Sequence, residues 1–336
     1  MNILLTSAGR RTYMVNYFKE ALKGKGLVYA SNNTLTHTLK VADRHVISPS
    51  IYDNDYIDFL VDYCKTHGIS AVISLFDIDL PILSKNRHVF EKEGIKLIVS
   101  NEEAISICND KWKTKLFLDS ISIKHPGTYI SLSEVKQLIS ENKISFPLFL
   151  KPRWGMGSIG LFEVDNIDEL EVFYKKLHKI IFSSYLKHES TQDIENSIII
   201  QEKIQGYEYG LDILNDLNGN YVATVAKRKI ALRAGETDIA QIVDNYAFNN
   251  ISLNISKSLK HIANLDVDCF VTSSGEIFVL EMNCRFGGQY PFSHIAGVNY
   301  PLQIIKWING DTENDPNLLR AKTGIMGCKE IDLAIL

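Results

Sequence analysis

The sequence predicts an α/β protein with a Rossmann-like three-layer unit at its start and a longer, strand-rich unit behind it. Over roughly the first hundred residues, short apolar runs alternate with amphipathic stretches, the pattern of strands feeding helices around a parallel sheet. After Pro126 the spacing changes to closely set β-type runs separated by turns. With 336 residues, 45% hydrophobic and 23% charged, the chain is long enough to bury more than one core.

In the first unit, Ile3 to Thr6, Leu27 to Ser31, Ala71 to Leu75 and Ile95 to Val99 read as buried strands. Tyr13 to Leu22, Tyr56 to His67 and Leu80 to Glu93 carry apolar residues at helical spacing, and Gly68 and Gly94 stand where a helix end needs positive φ. A dinucleotide fingerprint would need three glycines after the first strand, whereas Ser7-Ala8-Gly9-Arg10-Arg11-Thr12 has one. Gly9 therefore reads as a plain strand-to-helix turn. Arg10 and Arg11 read as solvated surface charge, with anion binding at the helix N-terminus as the alternative.

A helical stretch at Asp110 to Leu118 leads into the second unit. Its expected strands are Pro147 to Lys151, Ile159 to Val164, Ser197 to Ile204, Tyr207 to Leu214 and Tyr221 to Leu232, with hairpin turns at Asn215 to Asn220 and Ser273 to Glu276. The polar, aperiodic span Ser184 to Asn196 reads as a surface loop with freedom to move.

Bulk chemistry excludes several functions. The net charge of -4 arises from 36 basic and 40 acidic residues without a long basic tract, so no nucleic acid is expected as a partner. The five cysteines are odd in number and contain no Cys-x-x-Cys pair, which argues against a disulfide framework and a thiolate zinc site and fits a cytoplasmic location. No apolar run is long enough for a membrane span, and the N-terminus lacks the order of a signal peptide.

Three stretches carry chemistry. Phe149 to Gly160 is a strand ending in Lys151-Pro152, followed by a loop with Gly155, Gly157 and Gly160. Glycine amides can close over phosphate oxygens while the lysine adds a point charge. Ile200 to Tyr209 sets Glu202 at a strand end, then Lys203 and Ile204, then Glu208 beyond a glycine, a pattern suited to holding the adenine edge and ribose hydroxyls. Each of these alone has a bland reading, a flexible turn or an edge strand with exposed acids. In the third stretch, Glu281 and Asn283 lie two apart on one strand, and Asp268 lies on the strand folded back beside it. These three oxygen donors suit Mg²⁺, and Arg285 extends the same face.

In order and spacing these motifs resemble the ATP-grasp superfamily, particularly members similar to the ATP-binding half of carbamoyl phosphate synthase. The resemblance implies an ATP-grasp fold with an N-terminal Rossmann-like pre-ATP-grasp domain. The expected bounds are 1–108 for that domain and 109–336 for the ATP-grasp domain, whose small ATP-binding lobe occupies 109–200 and whose metal-bearing lobe occupies 201–336. It further implies that Lys111 and Lys151 contact ATP, with Gly155, Gly157, Ser158 and Gly160 forming the phosphate-covering loop. Glu202, Lys203, Ile204 and Glu208 would hold the adenosine, and Asp268, Glu281 and Asn283 the metal, Mg²⁺ with Mn²⁺ as a substitute. Cys284 stands where many relatives place proline.

The implied activity is an ADP-forming carboxylate–amine ligase acting through an acyl phosphate on an amino acid or sugar acid. Arg285, Arg233 and Lys151 are the expected catalytic residues, Arg233 holding substrate carboxylate or developing phosphoryl charge. A basic edge strand is an equal reading of the Arg233 segment. The alternatives are a bicarbonate-activating enzyme and an inactive nucleotide-binding regulator. Expected partners are a small-molecule carboxylate and an amine, with no membrane and no nucleic acid; the sequence admits a homodimer without requiring one.

Overall fold

The computed structural model describes residues 1–157, 159–331 and 333–336. Three sheets make up the protein. The first is parallel, with β1 (Asn2–Thr6), β2 (Val28–Asn32), β3 (Arg44–Ile47), β4 (Ile69–Ser74) and β5 (Lys96–Ile98) in the order β3-β2-β1-β4-β5. Four of these were expected. The fifth, β3, is an edge strand that is mostly exposed and has only two apolar residues, too few for a pattern to show. Strand order reverses at β1 and β4, so a crevice opens at the carboxyl ends of the strands.

The helix Thr12–Leu22 buries Met14, Val15, Phe18, Ala21 and Leu22 and stops at Lys23, which adopts the left-handed conformation. The helical stretch expected at Leu80 to Glu93 is instead two helices, Asp79–Lys85 and Arg87–Lys92. Asn86 breaks it: its side-chain amide donates to the Ile82 carbonyl at 2.8 Å, competing with the helix ladder.

The second sheet contains β6 (Thr128–Tyr129), β7 (Leu148–Pro152), β8 (Phe162–Val164) and β9 (Ile198–Glu202) in the order β6-β9-β7-β8. β8 is shorter than expected because Gly160, at φ 71°, turns the chain just before it. Helices Leu132–Ser140 and Ile167–Ser183 cover one face and enclose Val135, Leu148, Leu150, Leu170, Leu177, Ile181, Ile198 and Ile200. Neither helix was anticipated, although the second starts on a clear cap: Asn166 accepts from the Glu169 amide at 2.9 Å, and Glu169 reaches back to accept from the Asp165 amide at 2.9 Å.

The Ser184 to Asn196 span is less free than its composition suggests. It contains a short helix, Lys187–Ser190, and is pinned at two points: His188 stacks on Tyr52 of the first unit with centroids 4.0 Å apart, and Asp193 pairs with Arg153 at 2.9 Å.

The third sheet is antiparallel and holds β10 (Tyr207–Asn215), β11 (Tyr221–Arg233), β12 (Glu236–Val243), β13 (Ala263–Val271), β14 (Ile277–Asn283) and β15 (Met326–Cys328), in the order β14-β13-β10-β11-β12-β15. Its register separates two faces. Leu211, Ile213, Ala226, Leu265, Val267, Cys269, Val279 and Met282 face a core shared with the helix Asn249–Leu259. Glu208, Asp212, Lys227, Asp266, Asp268, Glu281 and Asn283 alternate with them and share the other face.

The first and third sheets are welded together. Met14 and Phe18 of the first unit belong to one buried cluster with Phe286, Tyr290, Ile304 and Trp307, and the helix Thr12–Leu22 packs on the helix Tyr300–Ile308. On the polar face, the fully buried Lys227 pairs with the equally buried Asp212, and Lys227 also reaches the Ser293 hydroxyl at 3.1 Å. Lys227→Met leaves Asp212 charged and unpaired inside, and the expected loss is about 3–5 kcal/mol. Replacing both residues with apolar ones of similar volume recovers most of that loss. Urea unfolding decides this, since equal midpoints for parent and single variant are incompatible with the pair as described.

Candidate active site

The polar face of the third sheet meets the second sheet across a cleft bordered by the helix Lys111–Ser120. Asp110 caps that helix, its carboxylate accepting from the Trp112 amide at 3.0 Å and the Lys113 amide at 3.3 Å. The same carboxylate is gripped in bidentate fashion by Arg153, Nε at 2.7 Å and Nη2 at 2.8 Å, so the strand-end loop and the helix start are locked together. Lys111, the first residue past the cap, donates to the Gly155 carbonyl and lies 3.8 Å from Glu281. The glycine loop and the β14 acid thus meet at one ammonium.

Lys151 projects from β7 and donates to Gln201 at 2.7 Å. Burial lowers its pKa to about 8, and nearby Lys111 pushes the same way, while Glu281, Glu208 and Asp268 oppose. Gly157 and Gly160, at φ 61° and 71°, give the loop a path that other residues would resist. Ser158 lies outside the described residues.

Asp268 and Glu281 are directly opposite across β13 and β14, as are Asp266 and Asn283. Asp268 is 2.7 Å from Lys229, which also donates to Glu208 at 2.6 Å. Burial pushes the Asp268 carboxyl up to about 6 against the pull of Lys229, with Asp266 and Glu208 adding to the rise. A carboxylate in that position gains from any added positive charge. Among the described residues no group of three or more His, Cys, Asp and Glu side chains is arranged for a metal ion. Asp268, Glu281 and Asn283 could together offer two carboxylates and an amide oxygen, a donor set that would suit Mg²⁺ if phosphate oxygens and water filled its remaining positions.

Arg285 is the buried link to the first sheet. It donates to Asp77 through Nε at 3.0 Å and Nη2 at 2.8 Å, and through Nη1 to Asp266 at 3.2 Å. Arg11 is not the solvated charge that the sequence suggests: it donates to the Phe286 carbonyl, and burial together with Arg285 lowers its pKa. Gln289 lies over Gly210, where any Cβ would collide with its amide, and donates to Asp266 and, at 3.1 Å, to Asp268.

Lys111, Lys151, Glu208, Asp268, Glu281 and Asn283 therefore gather around one cleft, with Arg285 at its end. Glu208 enters through its pair with Lys229. Glu202 sits at the end of β9 against Gly127, its amide donating to the Gly127 carbonyl at 2.8 Å, with half-buried Ile204 just beyond. Lys203 pairs with Glu163 at 2.6 Å. Arg233 stands apart at the tip of the β11–β12 hairpin, where Asp238 and the Lys329 carbonyl, 2.8 Å away, take its guanidinium. Lys229, Asp77, Asp266, Arg11 and Gln289 were not singled out as site residues. The period-two pattern put Lys229 on the polar face of β11, but nothing local joins the others.

Residues 144–291 match the family described as ATP-grasp domain. This stretch is an ATP-grasp domain. Residues 3–98 match the family described as PylC-like, N-terminal domain, so the parallel sheet precedes the ATP-grasp domain as a separate family unit. The chain is 22% identical over 307 residues to a carbamoyl-phosphate synthase of Methanobrevibacter smithii, covering 84% of this chain and 77% of that protein. It is 21% identical to the arginine-specific carbamoyl phosphate synthase large chain of Bacillus subtilis, covering 81% of this chain but only 25% of that one. Most curated relatives of this kind are thus far longer than the stretch they share. Among solved structures, biotin carboxylase from Campylobacter jejuni in complex with β,γ-ATP matches with TM-score 0.76 and 18% identity, covering 97% of this chain and 75% of that chain. The L-amino acid ligase from Bacillus licheniformis matches with TM-score 0.74 and 17% identity, covering 97% and 79%. At these identities the likeness establishes the ATP-grasp fold. No described helix is long and apolar enough to cross a membrane.

The lowered Lys151 pKa has a measurable consequence. Above about pH 8 the free protein loses this cation, whereas bound polyphosphate holds the proton on, so ATP affinity falls by up to about tenfold per pH unit. Lys151→Arg stays charged and flattens the dependence. Calorimetric titration between about pH 7 and about pH 9.5 checks it, and an equal slope in both proteins removes Lys151 from the phosphate contacts.

Proposed function

We propose that the protein is an ATP-dependent, ADP-forming carboxylate–amine ligase that makes a C–N bond through an acyl phosphate. The observation that carries this reading is the convergence of Lys111, Lys151 and the Gly155 carbonyl on the cleft edge that also bears Glu281 and Asp268. ATP-grasp proteins and the relatives above, named as synthases, carboxylases and ligases, support the same class.

When bound, Mg-ATP supplies the phosphoryl group that turns a carboxylate, otherwise a poor electrophile, into an acyl phosphate. The metal would be held by Asp268, Glu281 and Asn283. Lys111 and Lys151 neutralise triphosphate charge, and the amides of Gly155, Gly157 and Gly160 close over it. Glu202, Lys203 and Ile204 border the adenosine. Lys229, paired with both Asp268 and Glu208, holds a positive charge beside the acids that would carry the metal and stabilises negative charge developing there. Arg285 orients the substrate carboxylate, an amino acid or sugar acid. Arg233, tied to Asp238, contributes only if the hairpin rearranges.

Hydroxylamine in place of the amine yields a hydroxamate in step with ADP, and oxygen label in the acid's carboxylate emerges in phosphate. AMP, or unlabelled phosphate during amide formation, overturns the mechanism. Glu281→Gln lowers turnover by about 10²-fold or more with an unchanged melting temperature. A normally melting variant that turns over at the parent rate places the metal elsewhere.

A further inference from the structure

Three arginines of this protein use the same edge of the guanidinium. Arg153 sets Nε and Nη2 on Asp110 at 2.7 and 2.8 Å, Arg285 sets them on Asp77 at 3.0 and 2.8 Å, and Arg233 sets them on Asp238. Each time the planar fork meets a carboxylate. Arg11 departs from this pattern. It is partly buried and donates from Nη1 to the Phe286 carbonyl, but among the described residues its Nε and Nη2 have no hydrogen-bond partner. The acids whose charge it feels, Asp77 and Asp266, are bound to Arg285 instead.

A run of contacts places this open edge relative to the metal-bearing strands. Across β13 and β14, Asp268 faces Glu281 and, two residues along, Asp266 faces Asn283. Arg285 comes next, its Nη1 on Asp266 at 3.2 Å and on the Phe286 carbonyl at 3.3 Å. Arg11 donates to that same carbonyl oxygen, so the two guanidiniums are neighbours and the order of contacts is Asn283, Asp266, Arg285, Arg11. Two adjacent cations share one neutral oxygen, and the inner one holds both carboxylates. Burial and then Arg285 lower the Arg11 pKa, as expected of a cation short of an anion. An anion on the open edge relieves both effects.

We propose that the acid substrate is a dicarboxylic acid, its activated carboxylate lying at Arg285 and its second carboxylate held by the Nε–Nη2 edge of Arg11. This rests on the ligase reading and names its acid. The parallel unit then contributes a substrate-binding residue as well as packing against the third sheet. A carboxylate offers two acceptor oxygens to the fork, so one group satisfies both open donors. An amide in its place offers one oxygen and sets an NH₂ against a donor, leaving the guanidinium charged and half satisfied. The loss of one such charge-assisted contact corresponds to a preference of about 10- to 100-fold for the diacid over its monoamide.

The test reads binding and turnover separately. Calorimetry in the presence of Mg-ADP compares succinate, glutarate, L-aspartate and L-glutamate with their monoamides succinamate, glutaramate, L-asparagine and L-glutamine. Hydroxamate formation from Mg-ATP and hydroxylamine gives kcat and KM for the same pairs. At least one diacid binds and reacts about 10- to 100-fold better than its amide. Arg11→Gln keeps a donor for the Phe286 carbonyl but removes the fork. It raises Kd and KM for that diacid about tenfold or more, holds kcat within about threefold, and brings diacid and amide level. Arg11→Lys, which keeps the charge without the fork, loses the preference in smaller degree and serves where Arg11→Gln melts early. Equal binding of diacid and amide by the parent overturns the proposal, as does binding of none of these acids. Equal losses for both in the Arg11 variants also overturn it, since Arg11 is then only a strut for Phe286. Diacid binding that depends on Arg11, without hydroxamate from any acid, supports this seat and overturns the ligase reading. Hydroxamate from monocarboxylates alone does the reverse.

Discussion

The arrangement depends above all on one buried guanidinium. Arg285 leaves the end of β14 and donates to Asp77 from the parallel unit and to Asp266 from β13. A buried arginine is tolerable only where carboxylates surround it, and burial is more than repaid here, because the net effect of Asp77 and Asp266 is to raise its pKa. Because its partners come from two sheets, the pair fixes how the first unit sits against the hairpin carrying Glu281 and Asn283. Arg11 also reaches this turn, donating to the Phe286 carbonyl that accepts from Arg285 as well, so the start of the segment 285–289 is held from the first unit too.

A second constraint is the strict alternation of the third sheet. Moving β13 by one residue against β14 would exchange Asp266 and Asp268 for Val267 and Cys269, burying acids in the shared core. The apolar face therefore enforces the register that aligns the acids. Within this sheet, stability and chemistry are coupled through side-chain period.

Local patterns made most of the fold legible. Periodicity found four of five parallel strands, the glycine-rich turn after β7 and the hairpins flanking β10 and β14. It missed β3, which is exposed, and the break at Asn86, which depends on one side chain bonding backwards to Ile82. In the site, Glu281 and Asn283 could be read because they sit on a single strand two residues apart. Asp77 and Arg285 are 208 residues apart in sequence, and no spacing rule announces their meeting. Arg11 looked like surface charge for the same reason, its partner being 275 residues away. Arg233, prominent in a basic run, is occupied by a neighbour five residues on, a pairing that composition does not reveal.

The distribution of cores divides the molecule unequally. The parallel and antiparallel sheets share both large clusters, so they fold and unfold as a single cooperative body despite belonging to two family units. The four-stranded sheet keeps its own core, whose buried residues all fall between Val135 and Ile200. What joins it to the larger body is polar or aromatic: Arg153 on Asp110, Lys111 on Gly155, and the ring of His188 on Tyr52. Such a seam can part and re-form without exposing either core, so slow amide exchange in the two bodies is set by separate barriers. The boundary between the two bodies is thus written into where greasy side chains stop.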